Sequence, residues 1–314
     1  MSLGEWTIHG GRLAAARARW PDAPVPWLDL STGLNPHAWP VERVGPIDWR
    51  RLPDDAALGD LEAAAATTFG VPAENVCATP GSEIALRLLA TLDLPRPHRH
   101  VAPGYRTHAE VFADGEALDP AAIGAVRDGT LLLARPSNPL GSIAPLPASG
   151  VQLVVDEAFA DATADTSILP HPEAIVLRSF GKFFGLAGVR LGFVVAPARH
   201  LALLRRQLGS WPVSAAAIAI GTAAYRDLAW QDDMRRRLPL DRGALDRILG
   251  RNGLVPEGES PLFRLVRTPD APALFERLAR QGILTRPFDH APDSLRFGLP
   301  GDDDALERLD RALG

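Results

Sequence analysis

The chain has 314 residues, of which 46% are hydrophobic, and a formal net charge of −5 at pH 7. A chain of this length can bury a sizeable core, and we expect one catalytic subunit with two lobes. The charge gives no basic footprint for a nucleic acid. The single cysteine, Cys77, excludes an intrachain disulfide and suits a reducing cytoplasm, and together with eight scattered histidines it argues against a structural zinc site.

The hydropathy pattern gives no sign of a membrane. We find no run of about 18 apolar residues and no charged-then-apolar leader, so the sequence predicts a cytoplasmic protein. The one basic cluster, Arg235 to Arg237, is predicted to be the solvated face of a helix that ends before Pro239.

Composition divides the chain into three parts. Residues 1–40 contain Gly10, Gly11, prolines and tryptophans, which is typical of an N-terminal arm that lies against something else. Residues 41–212 alternate strand-like with helical runs, which predicts an α/β domain with a mostly parallel sheet. Residues 213–314 have longer helices and shorter strands, and we predict a smaller α/β lobe.

Two turns in the large domain follow apolar runs and carry polar side chains. Cys77 to Leu89 is typical of a tight turn that opens a helix, where the amides near Ser82 can hold a phosphate. A plain serine N-cap is an equally good interpretation of that piece. Leu131 to Gly141 is a strand followed by a polar turn with Asn138 before a proline, an ordinary turn signal.

The next apolar run, Val151 to Val155, ends in Asp156. A buried parallel strand delivers such an acid to its carboxyl end, where open α/β sheets place their ligands. A cap on the following turn is the simpler alternative for this carboxylate.

The stretch Val176 to Phe193 places Lys182 in a loop between two strand-like runs. Ser179 can donate a hydroxyl hydrogen bond, Arg190 supplies a fixed positive charge, and the glycines allow close backbone approach to an anion. A lysine condenses with carbonyls, so the segment predicts a phosphate site beside an amine nucleophile. Ordinary solvated loop residues give the same local pattern.

In chain order these segments resemble the class I/II aminotransferase-like family of pyridoxal-phosphate enzymes, the fold-type I group. The resemblance runs from about Asp29 to the end and implies a large cofactor-binding domain over 41–212 and a small C-terminal α/β lobe over 213–314. The segments that carry it are Gly81-Ser82-Glu83, Pro103-Gly104-Tyr105, Pro136-Ser137-Asn138-Pro139-Leu140-Gly141, Asp156-Glu157-Ala158-Phe159, and Ser179-Phe180-Gly181-Lys182 followed by Arg190.

The resemblance implies a role for each cofactor residue. Lys182 would hold pyridoxal 5′-phosphate covalently and later move protons, and Asp156 would keep the pyridine nitrogen protonated. Asn138 would hydrogen-bond the phenolic oxygen, and Tyr105 would stack on the ring. The cofactor phosphate would be held by Ser82, the backbone amides of Ser82 and Glu83, Ser179 and Arg190.

The resemblance also implies a substrate site. Arg296 occupies the family's position for the α-carboxylate, where a guanidinium matches two oxygens. A surface strand arginine is the simpler interpretation. Arg286 is placed like an arginine that contacts a phosphorylated substrate, and Asn35 is a further candidate. Two residues depart from the family pattern: Leu52 and Phe159 each stand where related enzymes usually carry a tyrosine.

Within the family, segments 30–36, 156–159 and 177–188 resemble threonine-phosphate decarboxylases of cobalamin biosynthesis more than histidinol-phosphate aminotransferases. The resemblance predicts conversion of L-threonine O-3-phosphate to (R)-1-amino-2-propanol O-2-phosphate and carbon dioxide, by a homodimer. Because the bond that breaks is the one aligned with the ring's π orbitals, sequence does not distinguish decarboxylation from transamination. A histidinol-phosphate-type aminotransferase and a non-catalytic cofactor-binding protein stay as alternatives.

Overall fold

The computed structural model describes residues 3–163 and 165–314, which form two compact units. We call residues 38–138 and 142–233 the sheet unit, and residues up to 37, 139–141 and 234–314 the terminal unit. The strands in chain order are β1 (Leu28–Asp29), β2 (Val76–Thr79), β3 (His98–Val101), β4 (Glu116–Leu118), β5 (Thr130–Ala134), β6 (Gln152–Asp156), β7 (Ile175–Ser179), β8 (Gly192–Val195), β9 (Pro256–Glu257), β10 (Phe263–Arg267), β11 (Ile283–Leu284), β12 (Arg286–Pro287) and β13 (Ser294–Gly298). The α-helices in chain order are α1 (Leu13–Arg19), α2 (Asp55–Phe69), α3 (Ser82–Leu88), α4 (His108–Val111), α5 (Phe180–Phe183), α6 (Ala198–Leu208), α7 (Ala215–Arg226), α8 (Leu228–Arg251), α9 (Ala271–Arg280) and α10 (Asp303–Leu313).

The sheet unit is built on seven strands in the order β2-β8-β7-β6-β5-β3-β4. Neighbours from β7 through β4 pair in parallel, whereas β8 runs antiparallel to both β2 and β7. The apolar runs Leu131 to Leu133 and Ile175 to Leu177 are completely buried. Strands buried on both faces require such continuous apolar runs, so the predicted mostly parallel sheet is confirmed.

Helix α2 shows how local sequence sets the ends of an element in this unit. The Asp54 carboxylate accepts hydrogen bonds from the amides of Ala56 and Ala57, which satisfies donors that the first turn leaves open. The helix ends at Gly70, whose φ of 67° lies in the left-handed region. Helix α7 packs tightly on α2, since a Cβ added at Gly221 would lie 2.8 Å from a Leu61 methyl carbon.

That close packing places α7 in the sheet unit, so the boundary between the units lies at residues 233 and 234, whereas the sequence pattern placed it at 212 and 213. The first 37 residues group with the C-terminal part of the chain. There the ring of Trp6 lies 5.2 Å from that of Trp20 and 5.8 Å from that of Phe275 on α9. Burial of these aromatic rings is what anchors the N-terminal segment within the terminal unit.

The terminal unit contains an antiparallel sheet of order β12-β13-β10-β9 and a short parallel pair, β1 with β11. Helix α9 buries Leu274, Phe275 and Leu278, and α10 starts at the N-cap Asp302 with acids in its first turn. Negative charge at a helix start is favoured by the helix dipole.

The predicted end of a helix before Pro239 is wrong. Helix α8 continues through Pro239 to Arg251. Pro239 is exposed, so the helix carbonyl that its ring leaves unbonded can be hydrated, while the preceding Leu238 is completely buried. Arg236 and Arg237 are exposed, as a solvated face requires. Within residues 3–163 and 165–314, no helix is both long and apolar enough to cross a membrane.

Candidate active site

The carboxyl ends of three adjacent parallel strands bring polar side chains to one edge of the sheet unit. Asn138 follows β5, Asp156 ends β6, and Ser179 ends β7. The register aligns Ala134 with Asp156 and Asp156 with Leu177, so these strand ends lie level with one another. This edge is where open α/β sheets bind ligands.

Lys182 lies on α5, a single helical turn directly after β7. The buried rings of Phe180, Phe183 and Phe184 hold this turn in place. The ring of Phe184 stacks on that of Trp230, with 5.5 Å between the ring centres. The Lys182 side chain is itself partly buried. A firmly packed turn therefore presents one amine at the ligand-binding edge of the sheet.

Lys182 is also the only lysine in the chain, since the other 32 of the 33 basic residues counted as Lys+Arg are arginines. Its Nζ atom lies 5.3 Å from the centre of the Phe159 ring. A cation over an aromatic face is stabilised by the ring quadrupole. The Phe159 ring therefore contacts the amine where the family usually has a tyrosine, and it offers no hydroxyl to the site.

Asp156 is held by a histidine that sequence reasoning missed. Nε2 of His108 lies 3.0 Å from Oδ2 of Asp156, and the Ala158 amide donates to Oδ1 at 3.1 Å. The side chains are 1% and 12% exposed, respectively. Because the two residues are 48 positions apart, no local pattern pairs them. The imidazole orients the carboxylate that the family resemblance places near the pyridine nitrogen.

Tyr105 lies beside the same histidine, with its ring 5.8 Å from that of His108 in an edge-to-face arrangement. Burial raises the pKa of Tyr105 to about 12, and the neighbouring Glu83 carboxylate adds to this rise. The phenol is therefore protonated at neutral pH. Glu83 accepts hydrogen bonds from Arg87 at 2.8 Å and from Thr107 at 3.1 Å, so its carboxylate is bound to neighbouring side chains. The phosphate contact predicted for Glu83 involves its backbone amide.

The predicted phosphate residues form a cradle around Gly81. Gly81, with φ of 91°, is the N-cap of α3, so the serine N-cap interpretation of Ser82 is wrong. A Cβ added at Gly81 would lie 2.7 Å from a terminal guanidinium nitrogen of Arg190. Gly192 pairs with Ser179 in the β7–β8 register and lies against the Ser82 amide. Ser82, Ser179 and Arg190 therefore converge on one spot, and this donor set fits a phosphate.

Replacing Gly81 with alanine is expected to weaken cofactor binding about tenfold or more, because the new methyl group would push the Arg190 guanidinium away from the place where it is predicted to hold the phosphate. Gly70→Ala is the matched control, since Gly70 also has a positive φ but has open space around the added Cβ. The added backbone strain is about 1–2 kcal/mol at Gly70, which is in the αL region, and about 1–3 kcal/mol at Gly81, whose φ of 91° and ψ of 151° essentially only glycine adopts. Titration of each apoprotein with pyridoxal phosphate checks this, and equal affinities in the two variants would contradict the cradle.

The three substrate candidates all lie in the terminal unit. Arg296 on β13 is 5% exposed, donates to the Ser31 carbonyl at 2.9 Å and lies over the Phe263 ring. Burial, with a smaller contribution from the nearby Arg286 cation, lowers the pKa of Arg296 to about 9. A buried guanidinium can form charge-assisted hydrogen bonds to an anionic ligand.

Arg286 is the register partner of Arg296 across β12 and β13. Its guanidinium donates to the carbonyls of Trp6 at 2.8 Å, Thr7 at 3.0 Å and Ile8 at 3.1 Å. Arg286 is therefore already engaged with the N-terminal segment, which the sequence did not reveal. Asn35 is 2% exposed, and its Oδ1 accepts a hydrogen bond from the His37 amide.

The departure at Leu52 is an exposed side chain, 64% accessible, on the rim of a cavity of about 590 Å³ in the sheet unit. The lining includes Ile47, Ile218 and Arg226. Leu52 therefore offers a hydrophobic surface where the family pattern expects a hydroxyl.

Comparison with known proteins agrees with this arrangement. The family model for aminotransferase class I and II matches residues 105–313. A threonine-phosphate decarboxylase of Pseudomonas aeruginosa is 38% identical over 97% of this chain and 96% of its own length, and one of a Sinorhizobium species is 40% identical over 98% and 97%. The crystal structure of a histidinol-phosphate aminotransferase from Sinorhizobium meliloti in complex with pyridoxal-5′-phosphate has a TM-score of 0.77 at 20% identity, covering 96% of this chain and 93% of that one, and so shares the fold. The predicted fold-type I architecture is confirmed, and the chain belongs to the class I and II aminotransferase family of pyridoxal-phosphate-dependent enzymes.

Proposed function

We propose that the protein decarboxylates L-threonine O-3-phosphate to (R)-1-amino-2-propanol O-2-phosphate, using pyridoxal 5′-phosphate, in cobalamin biosynthesis. The observation that carries this is the near full-length similarity to two relatives named threonine-phosphate decarboxylase. The donor set of the sheet unit supports the cofactor, and the paired arginines of the terminal unit support an anionic substrate.

When bound, pyridoxal phosphate supplies an electron-withdrawing ring that accepts the electron pair of the bond broken at the substrate α-carbon. The residues do the rest. Lys182 holds the cofactor through Nζ and afterwards supplies the proton that replaces the lost carboxylate on the α-carbon. Asp156, oriented by His108, stabilises a protonated pyridine nitrogen. Ser82, Ser179 and Arg190 hold the phosphate of the cofactor.

Charge in the terminal unit suits a substrate that carries both a carboxylate and a phosphate. Arg286 and Arg296 face each other in the β12–β13 register, so two fixed cations lie close together. Each guanidinium favours binding of an anion beside it, and a substrate with two anionic groups can form charge-assisted hydrogen bonds with both. An amino acid without a phosphate would make fewer charge-assisted contacts with this pair.

One assay distinguishes the decarboxylase from the alternative. Purified protein with pyridoxal phosphate and threonine phosphate is expected to release carbon dioxide and the amine phosphate in equal amounts without any keto acid. Turnover of histidinol phosphate that requires 2-oxoglutarate, with no amine from threonine phosphate, would instead establish the aminotransferase. Mass spectrometry of the product and trapping of carbon dioxide are the measurements.

Replacing Arg296 with glutamine is expected to raise KM for threonine phosphate by about 30- to 150-fold with a smaller change in kcat, because a charge-assisted pair contributes about 2–3 kcal/mol. Since burial of this cation costs free energy in the protein without a ligand, the melting temperature should change little. Steady-state kinetics and thermal unfolding measured on one preparation check both parts. Arg267→Gln, an exposed arginine on the neighbouring β10, is the control and should leave KM unchanged.

Removing the Arg286 side chain should also raise KM, and here the N-terminal segment gives a second measurement. Arg286→Ala deletes the donors to the Trp6, Thr7 and Ile8 carbonyls, so proteolysis near the N-terminus should become faster. Faster proteolysis with an unchanged KM would restrict Arg286 to holding this segment and remove it from the substrate site.

The proposal extends to assembly and location, a homodimer in the cytoplasm. The apolar rim at Leu52 and the exposed Trp49, 76% accessible, support association with a second copy. Light scattering at micromolar concentration is expected to give twice the mass of the chain, and a monomer would contradict the dimer. The buried, unpaired Cys77 suits a reducing compartment.

A further inference from the structure

A group of buried charged side chains lies close in sequence to Asp156 and Lys182, the two residues on which the proposed chemistry depends. Glu157 is the residue after Asp156, and Arg178 comes one residue before Ser179 and four before Lys182. The Glu157 side chain is completely inaccessible, and Arg178 is 5% exposed. The residues proposed to bind the cofactor and the substrate include neither of them.

The contacts of this group join the end of β6, the segment that follows it and the end of β7. Oε2 of Glu157 accepts from Nη1 of Arg178 at 2.9 Å and from the Ser167 hydroxyl at 2.6 Å, while Oε1 accepts from the Ile168 amide at 2.7 Å. The second terminal nitrogen of Arg178 pairs with Asp161. The Glu157 amide also donates to the Leu177 carbonyl at 2.9 Å, which joins the same two strands through the backbone.

The aromatic side of the group completes its enclosure. The Arg178 guanidinium lies 4.5 Å over the Phe69 ring, and Tyr225 lies among the rings of Phe69, Phe184 and Phe193. Within the described part of the chain, the Tyr225 hydroxyl and Nε of Arg178 are buried without a hydrogen-bond partner. Burial raises the pKa of the Tyr225 phenol well above its usual value, so it stays neutral.

Stability alone does not account for such an arrangement. Buried ion pairs repay little more than the cost of removing their charges from water, and well-packed apolar side chains often do as well. What a rigid guanidinium fork adds is position, because its two terminal nitrogens fix the two carboxylates at defined places. Here both carboxylates follow the strand end that carries Asp156, and the guanidinium belongs to the strand end that leads to Lys182.

We propose that Glu157, Asp161 and Arg178 form a positioning cluster that holds Asp156 and Lys182 in the mutual arrangement that the cofactor requires. This inference rests on the proposed cofactor chemistry. The three side chains are positioning residues that act through Asp156 and Lys182, since they are enclosed between the strands and covered by aromatic rings. Loss of the fork is expected to let the end of β7, and with it the lysine, shift relative to β6.

The test uses Arg178→Lys, which keeps the charge but replaces the planar fork with a single ammonium. We expect at least a tenfold loss of affinity for pyridoxal phosphate and a shifted pH titration of the lysine-linked cofactor absorbance. Glu157→Gln, which keeps the shape of the side chain, should move the same two measurements in the same direction. It also serves if Arg178→Lys does not fold.

Arg205→Lys is the matched control. Arg205 pairs with the buried Glu62 at 2.9 Å in the same unit and also binds the backbone near the start of β2, away from the carboxyl ends. It should lower the melting temperature and leave cofactor affinity and the absorbance titration as in the native protein. If Arg178→Lys and Glu157→Gln behave like this control, the positioning role is wrong although the proposed function stands. If native protein shows no lysine-linked absorbance, the proposed function fails, and the inference fails with it.

Discussion

Lys182→Ala is expected to abolish covalent attachment of pyridoxal phosphate and to lower kcat by about 10²–10⁴ from the loss of proton transfer alone. Borohydride reduction of the native holoprotein should leave the cofactor on one peptide, the one that contains residue 182. Because the chain has no other lysine, the variant offers no second side-chain amine to which the aldehyde can transfer. This makes the experiment unusually free of background labelling.

The variant should remain folded, because the rings of Phe180, Phe183 and Phe184 that pack the α5 turn are unchanged. Thermal unfolding of the apoprotein is the control and should agree with the native value within a few degrees. Cofactor absorbance that is shifted by imine formation and persists in the variant would contradict the assignment of Lys182. Lys182→Arg provides a second variant that keeps the positive charge near Phe159 but cannot form the imine, and it should be equally inactive.

The sequence was sufficient for those features that depend on short-range order. The continuous apolar runs ending in Asp156 and Ser179 predicted buried parallel strands, and the strand register indeed aligns their carboxyl ends. The order of the motifs then predicted the family, which the comparisons confirm. Each single motif lies within a short run of consecutive residues, where periodicity and turn chemistry are recognisable, and the family follows from the order of these motifs along the chain.

Features that depend on distant partners were not predictable in this way. His108 reaches Asp156 across 48 positions and Arg178 reaches Glu157 across 21, and nothing local in either segment indicates the pairing. The prediction that a helix ends before Pro239 was wrong for a related reason. A proline leaves the carbonyl of the residue four positions earlier without its helical hydrogen bond. Whether the helix continues depends on whether that carbonyl can face water, and tertiary packing decides this rather than the neighbouring residues.

The charge of Asp156 is the other feature with a large expected effect, and it can be separated from the shape of the side chain. In Asp156→Asn the amide oxygen can still accept the Ala158 hydrogen bond, so local structure should be preserved. The negative charge that stabilises a protonated pyridine nitrogen is lost, however. We expect kcat to fall by about 10²–10³ while cofactor affinity changes less, because one group that stabilises charge in the transition state contributes about 2.7–4 kcal/mol.

Asp156→Glu is the rescue variant, because it restores the charge with a longer side chain and should recover part of kcat. His108→Asn is expected to be intermediate, because it removes the partner at 3.0 Å but leaves the carboxylate in place. Single-turnover kinetics on lysine-linked holoprotein measures the chemical step directly. If Asp156→Asn retains the native rate there, the carboxylate does not act on the ring nitrogen, and the role of His108 as its orienting partner falls with it.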